Sequence, residues 1–498
     1  VSTIDDMPHI MEPRLGRWCV WPLVKRTIRL LLLESKLKVG NIHGRSSVSE
    51  LGSKERKRYA RDVVSGMLQA IRHNGWRNQP QVVILNDTDS FREQNESGNY
   101  FDVFFDRLLM ANGGLKARPY IIEDGLLWPH RDRVDGRRHL NAESLLLISE
   151  CLSHGSAIRR RVFHPARKIS DIISGSGIPI DKYKIRRTVE KKLERFEGVR
   201  VCYKTLFASR NIKGLLLIDS NSRMGQIAAA KELDVPVIEF QHGIIGKDHA
   251  GYQWSPSLRS YRFNMALPDQ ILVYGQLWQE MLSSRGFWRR NEIKAVGSAR
   301  MDCYRGQRPE RKKDSDKVVL LFTTDWTLQG RALSFWKRFL DISMANRHSN
   351  KYEVFIKPHP CEREYKEVYQ ALTTRSGKKC ALMGAETNTY QAMLSSDVHV
   401  SFASTTLLES VGLGVPTVCI GGKGTNGDIT ELVDSVTCKE HVIHVYSPED
   451  LADLLEAMTR SPGYLRRWRE KTERAGDRIF SGGFLESSLS VIDQVINR

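Results

Sequence analysis

At 498 residues the chain exceeds what one hydrophobic core usually supports, and two domains of roughly 200 residues each are expected. Its 41% hydrophobic and 8% aromatic content excludes wholesale disorder, and no apolar run reaches the ~18 residues of a membrane-spanning helix. The formal charge of +18 suits a polyanionic partner: nucleic acid, an acidic lipid surface or a phosphorylated substrate. Eight cysteines (Cys19, Cys151, Cys202, Cys303, Cys361, Cys380, Cys419 and Cys438) show no CxxC and no paired spacing. They read as reduced thiols of a cytoplasmic protein, with neither a disulfide framework nor a zinc site. The first residues lack the basic region of a secretory signal, and Val1 suggests a trimmed start.

Residues 1–52 fit no alternating pattern. Arg14, Arg17, Trp18, Trp21, Lys25, Arg26 and Arg29, then Leu30 to Leu33, Lys36 and Lys38, predict a basic, aromatic helical extension. It either lies on an anionic membrane surface or packs on the protein with its charges in water. A regular rhythm begins at Ser53. A helix over 53–73 closes at Asn74-Gly75, followed by a strand over 81–86, a helix over 100–110 and an extended stretch over 118–122. Helices at 142–152 and 184–210 precede a strand at 213–219, a helix at 224–233 capped by Asn221 and Ser222, and a strand at 235–240. Beyond a long loop come strand 270–274, helix 278–284 and strand 293–296; the charged stretch 308–317 reads as a linker.

The second half repeats the rhythm with strands at 318–323, 353–357, 381–383, 398–402 and 417–420. Its helices fall at 332–345, 364–373, 389–394, 405–413 and 448–459, and two basic helices fill 464–497. Continuous apolar strands alternating with helices imply parallel sheets covered on both faces. The fold class is therefore α/β: two doubly wound Rossmann-like domains facing a cleft, over 53–307 and 308–463. The C-terminal helices over 464–498 could cross back to the first domain. Ligands of such sheets sit beyond the carboxyl ends of the strands.

The polar motifs fall at those ends. Ser401 to Pro416 reads as a strand end and a helix whose start carries Ser404, Thr405 and Thr406, with Glu409 one turn in. Unpaired N–H groups and hydroxyls at a helix start make an anion site, although Ser and Thr also simply cap helices. Lys357-Pro-His359-Pro360 follows the strand before it; lysine, histidine and the hydroxyls together could cradle a diphosphate without a metal. Glu409 is placed to accept hydrogen bonds from ribose hydroxyls, and Thr323, Thr324 and Asp325 could touch a base or acceptor. His242, in Gln241-His-Gly243, ends the strand over 235–240 and has the pKa range for general-base work. Glu123-Asp124-Gly125 follows another strand; either carboxylate could deprotonate an acceptor hydroxyl, or the motif could be only a turn. No GxxxxGK[ST] loop and no Asp-x-Asp metal–nucleotide pair follows a strand.

The ordered set Gln241-His242-Gly243, Gly297-Ser-Ala-Arg300-Met-Asp302, Lys357-Pro-His-Pro360 and Ser404-Thr-Thr…Glu409…Gly414-Val-Pro416 resembles bacterial surface-polysaccharide glycosyltransferases of the GT-B fold. The order is similar to that of CDP-glycerol glycerophosphotransferases. The acidic-acidic-Gly motif is similar to that of polysialyltransferases and capsule Kdo transferases. The likeness spans roughly residues 80–430. Gln241 and Phe402-Ala-Ser-Thr405 depart from the glycerophosphotransferase pattern and point toward a sugar donor.

The resemblance implies a glycosyltransferase using a CMP-, UDP- or GDP-linked sugar and a glycan or lipid-linked acceptor. It needs no metal or cofactor, works in the cytoplasm or on the inner face of the cell membrane, and binds no nucleic acid. Lys357, His359, Pro360, Ser404, Thr405, Thr406, Glu409, Thr324 and Arg300 would bind the donor; His242, Asp124 or Glu123 would be the catalytic base. A CDP-polyol phosphotransferase, a nucleotide-sugar epimerase and a basic nucleic-acid-binding protein are the alternatives.

Overall fold

The computed structural model describes residues 2–7, 9–37, 81–87, 92–94, 100–111, 119–124, 139–177, 180–246, 249–307, 317–323, 329–345, 351–359, 365–376, 380–384, 387–402, 404–421 and 441–496. The helix expected over 53–73, most of the 308–317 linker, Gly125, Thr324, Asp325 and Pro360 lie outside them.

Among the described residues, seven strands form the first sheet, in spatial order Ile293–Ala295, Gln270–Val273, Val237–Phe240, Gly214–Ile218, Val82–Asp87, Pro119–Asp124 and His139–Asn141, with every neighbouring pair parallel. Six form the second: Cys380–Leu382, Tyr352–Lys357, Val318–Thr323, Val398–Ser401, Thr417–Ile420 and Val442–Val445, again all parallel. The cause is legible in runs such as Gly214-Leu-Leu-Leu-Ile218, buried at every position. Strands with no polar face must be covered on both sides.

In each sheet the chain builds outward on one side, then returns to build outward on the other. The reversal falls between Val82–Asp87 and Gly214–Ile218 in the first sheet, and between Val318–Thr323 and Val398–Ser401 in the second. A crevice opens at the carboxyl ends of such a pair, because the flanking connections leave in opposite directions.

The C-terminal helices join the halves. Helix Pro462–Ile479 buries Trp468 in the second core and Ile479 in the first. Helix Phe484–Ile496 then lays Phe484, Ile492 and Ile496 on the first sheet, beside Val82, Ile84 and Leu216. The approach is close: a Cβ on Gly214 would sit 2.9 Å from Ile496 Cγ1. This last helix is not basic as expected; it carries Glu486 and Asp493 and no lysine or arginine.

Two further expectations are corrected. Residues 100–110 are not one helix: Tyr100–Asp102 is a strand paired with Arg92–Gln94, and the helix starts at Asp106. Asp102 closes the strand in the manner of a helix cap, its carboxylate accepting from the backbone N–H of Phe104 and Phe105 at 2.9 and 2.5 Å. The long helix Ser156–Gly175 was not anticipated, since its Arg-rich sequence and internal Pro165 hide the buried stripe Val162, Ala166, Ile169 and Ile173.

For the N-terminal extension, the packed alternative holds. Helix Val20–Leu37 contacts helix Lys182–Ala208, and Trp18, Trp21, Val24 and Ile28 are buried. The Trp21 indole donates to Asp5 at 2.7 Å, and Lys25, 3% exposed, is ion-paired to the same carboxylate at 2.6 Å. The tryptophans therefore face protein. Among the described residues no helix is long and apolar enough to cross a membrane. Trp21→Ala is expected to lower the unfolding free energy by about 3–5 kcal/mol in a denaturant titration; a loss below about 1 kcal/mol would place that face outside the core.

Candidate functional site

The Lys-Pro-His and Ser-Thr-Thr segments follow the two strands that flank Val318–Thr323, on either side of the second sheet's central strand. Lys357 ends its strand directly opposite Thr323 in the parallel ladder, and only 2% of it is exposed. Its ammonium donates to the Pro358 carbonyl at 3.3 Å, and half-buried His359 follows. Thr323 lies 3.2 Å, hydroxyl to hydroxyl, from Thr406, the first residue of helix Thr406–Gly412. Ser404 Oγ accepts from the Thr406 N–H at 3.3 Å. With seven residues, this helix contributes chiefly the N–H groups of its first turn.

Behind these groups runs a buried hydrogen-bonded chain that the sequence did not reveal. The His399 imidazole bridges Thr323 Oγ1 at 2.8 Å and Ser410 Oγ at 2.9 Å, and Ser410 meets Thr417 Oγ1 at 2.6 Å. Burial pushes His399 down to about 3, so the ring is neutral at physiological pH, with one donor and one acceptor nitrogen. The chain ties strand Val398–Ser401, helix Thr406–Gly412 and strand Thr417–Ile420 together and fixes Thr406 through Thr323.

Between the sheets, Glu409 and Arg300 share one cluster. Buried Tyr390 hydrogen-bonds both, and the Arg300 guanidinium lies 5.3 Å over the Tyr390 ring. Tyr304 stacks on Tyr390 at 5.1 Å, and Asn388 donates to the Tyr304 hydroxyl at 2.9 Å. Burial, and then the charge of Glu409, hold the Tyr390 hydroxyl well above its usual range. Arg300 belongs to helix Ala299–Tyr304, which leaves the first sheet, whereas Glu409 belongs to the second half. The cluster thus spans the two halves.

At the first sheet's switch point stands a second polar group. Gln241, 1% exposed, locks the turn that presents His242: its amide donates to the Gly243 carbonyl at 2.8 Å and accepts from the Tyr274 N–H at 2.9 Å. Asp219, just past the adjoining strand, adopts φ +49°, a left-handed conformation that costs a non-glycine residue energy. Burial pushes its carboxyl upward, but His242, Arg26, the Ser222 hydroxyl and Arg223 outweigh that and hold it below the ordinary carboxylate range. Ser222 donates to Asp219 at 2.5 Å, and Arg26 lies 3.5 Å away.

Beneath them, buried Glu239 accepts from Tyr252 Oη at 2.5 Å and the Ser220 N–H at 2.9 Å, and burial raises it to about 7. His249, whose ring centre is 4.8 Å from that of Tyr252, is lowered to about 4 by burial, Arg26 and His242. Asn221, 3% exposed, makes no side-chain hydrogen bond at either polar atom among the described residues. It lies so close to Gly251 that a Cβ there would come within 1.9 Å of its nitrogen.

The structure therefore puts Lys357, His359 and Ser404–Thr406 after carboxyl ends of strands of the same sheet, and joins Arg300 to Glu409 through Tyr390. Glu123 and Asp124 are the last residues of strand Pro119–Asp124, level with Asn86 and Asp87 on the adjacent strand. Residues the motif reading missed are Asp219, Arg26, Asn221, Tyr390 and His399. Asp219 and Asn221 were read only as strand end and helix cap, Arg26 only as part of the basic extension, and Tyr390 and His399 carry no local signal. Among the described residues no cluster of three or more His, Cys, Asp or Glu side chains is suited to a metal ion.

No protein-family model matches the sequence, and no curated protein matches it. Solved structures do. A putative UDP-N-acetylglucosamine 2-epimerase from Listeria monocytogenes superposes with TM-score 0.50 at 11% identity, over 84% of this chain and 97% of that one. The S. aureus MnaA–UDP co-structure gives 0.49 at 11% identity, over 84% and 96%. The wall teichoic acid polymerase TagF gives 0.47 at 11% identity, over 89% and 96%. The chain has the GT-B fold. Within it, each half contributes one parallel sheet and one switch-point crevice.

The His399 chain generates a pH test. Unfolded histidine binds its proton near pH 6.5, whereas folded His399 binds only near 3, so stability is lost as pH falls between those values. From pH 7 to pH 5 this one group is expected to cost about 2 kcal/mol. Denaturant titrations of His399→Gln should show a correspondingly shallower loss over that interval; an unchanged slope would mean His399 is not held neutral.

Proposed function

We propose that the chain is a metal-independent glycosyltransferase. It moves a sugar from a CMP-, UDP- or GDP-linked donor to a growing bacterial surface polysaccharide or glycolipid. One observation carries the reading: the two switch points are chemically different. Around one, neighbouring strand ends carry a lysine, a histidine and hydroxyls of the kinds that bind phosphate. The other sets an imidazole near a carboxylate that neighbouring cations keep ionised.

In the second half, Lys357, His359, Ser404, Thr405, Thr406 and the first-turn N–H groups would hold the donor's phosphates. As the bond between the sugar and the phosphate oxygen breaks, charge collects on that oxygen and these groups stabilise it. The Thr323–His399–Ser410 chain keeps the hydroxyl of Thr406 in place without reorganisation during the reaction. In the first half, a nitrogen of His242 would take the proton of the acceptor hydroxyl, and Asp219 would stabilise the resulting imidazolium. Asp124 or Glu123, one strand from the switch point, is the alternative base. The unsatisfied amide of Asn221 is a natural partner for a ligand hydroxyl.

The same reading includes contact with an anionic membrane surface. It is supported by the +18 charge and by Phe163 and Tyr183, 49% and 66% exposed, beneath Arg186 and Arg187.

Incubation with CMP-, CDP-, UDP- and GDP-sugars and an acceptor glycan should release nucleotide. His359→Ala and His242→Ala should each lower kcat by about 10²–10⁴-fold, with unchanged thermal unfolding. Wild-type rates for both variants would end the assignment. Transfer of a polyol phosphate would convert it to a phosphotransferase, and an epimerised nucleotide sugar formed without acceptor would make it an epimerase. Asp219→Asn should lower kcat and move the acidic limb of the pH profile to lower pH, because the His242 imidazolium loses its stabilising carboxylate, with little change in KM for the donor.

A further inference from the structure

Three elements of the first half meet beside Asp219. Helix Met224–Lys231 lies very close to helix Lys182–Ala208: a Cβ on Gly225 would sit 2.6 Å from Val199 Cγ1 and 3.1 Å from the Phe196 carbonyl oxygen. That contact sets the turn Ser220–Ser222, which leads into the shorter helix, against the turn of the longer one that carries Lys192, just before Phe196. Helix Val20–Leu37 packs on the same long helix and brings the Arg26 guanidinium within 3.5 Å of Asp219.

The charges at this corner do not balance. Among the described residues, half-buried Lys192 has no hydrogen-bond or ion-pair partner, and neither has exposed Arg195, three positions on and on the same face of the helix. Burial first, then Arg195 and Arg26, push the Lys192 ammonium down to about 8, and Asp219 only partly offsets them. Asp219 already answers Arg26. Of the carboxylates on the long helix, Glu190 is paired with Arg186, and Glu197 with Arg161 and Arg200. Glu194, two positions from Lys192, projects from the opposite side. The deeper groups add little charge. His249, lowered to about 4, stays neutral, and Glu239, raised to about 7, is held by Tyr252 and the Ser220 N–H. Two cations thus remain without a carboxylate, near Asn221, whose amide makes no side-chain hydrogen bond among the described residues. A half-buried ammonium with no acceptor is costly, and a ligand oxyanion would relieve that cost.

We infer that Lys192 and Arg195 form an anion subsite at the edge of the first crevice, taking a phosphate or carboxylate group carried by the acceptor. That the group belongs to an acceptor rests on the transferase reading; that an oxyanion binds at this corner does not. The subsite would hold the acceptor's charge beside Asp219 and leave a hydroxyl of the same molecule for His242.

The resonance of Lys192 itself reads binding without turnover, so the two readings fail separately. The full chain is reductively methylated with carbon-13 formaldehyde, and the dimethyl-lysine NMR signal missing from Lys192→Met is assigned to Lys192. Glucose 6-phosphate, glucuronic acid, glucose and inorganic phosphate are then titrated in, with no nucleotide sugar present. A saturable shift with at least one acidic sugar is expected, at affinity at least about tenfold above that of glucose, with a rise of about one unit in the titration midpoint of Lys192. A response to glucuronic acid alone identifies a carboxylate subsite, to glucose 6-phosphate alone a phosphate subsite. Arg195→Gln should weaken that binding about tenfold. Lys184→Gln, at an exposed position about 12 Å away along the same helix, should leave it unchanged. A signal moved by neither acidic sugar or equally by glucose, or binding that Arg195→Gln weakens no more than Lys184→Gln does, would overturn the inference. So would a response to inorganic phosphate alone, because the corner would then reject an anion carried on a sugar. These shifts in a chain that transfers no sugar would end the transferase reading alone.

Discussion

A parallel sheet covered on both faces leaves only its strand ends open, and that constraint organises this molecule. Each sheet lacks a polar face on which a site could be built, so polar chemistry collects where strands terminate. The carboxyl ends carry it, because the reversal of strand order there parts the flanking connections and leaves a crevice. Both halves obey the rule. In one, the reversal is bordered by Lys357, Thr323 and Thr406; in the other by Asp219, Asn221 and the turn that carries His242.

The two crevices differ in how they hold their groups. In the second half, rigidity comes from neutral partners: a buried imidazole satisfied on both nitrogens by hydroxyls orders a strand and a short helix at no cost in buried charge. In the first half it comes from charge. Asp219 pays for its left-handed backbone and partial burial through Arg26, Arg223 and His242, and Glu239 below it is pushed toward neutrality by burial.

The halves are also mechanically coupled. Helix Pro462–Ile479 belongs to both cores, and the Trp278 indole donates to the Ile479 carbonyl at 2.9 Å. The Phe484 N–H donates to Asp302 at 2.7 Å, so the connection to the last helix is fastened to the same segment that carries Arg300. Arg300, Tyr390 and Glu409 then place a cation, a phenol and a carboxylate in the seam between the halves. A ligand entering that seam would meet groups from both halves at once.

Much of this was readable from the chain alone. The α/β class, two sheets and nearly every strand of the second sheet follow from continuous apolar runs bounded by turn residues, since a buried strand tolerates nothing else. Lys357, His359, Ser404, Thr405, Thr406 and His242 stood out because each follows such a run. What local pattern could not supply was partnership across sequence. Asp219 and His242 are 23 positions apart, His399 and Thr323 are 76 apart, and Arg26 reaches Asp219 from the N-terminal helix. The same Trp18 and Trp21 fit a lipid surface or a protein core equally well as sequence. Only the packing of helix Lys182–Ala208 against them decided for the core, because hydrophobicity specifies burial but not what does the burying.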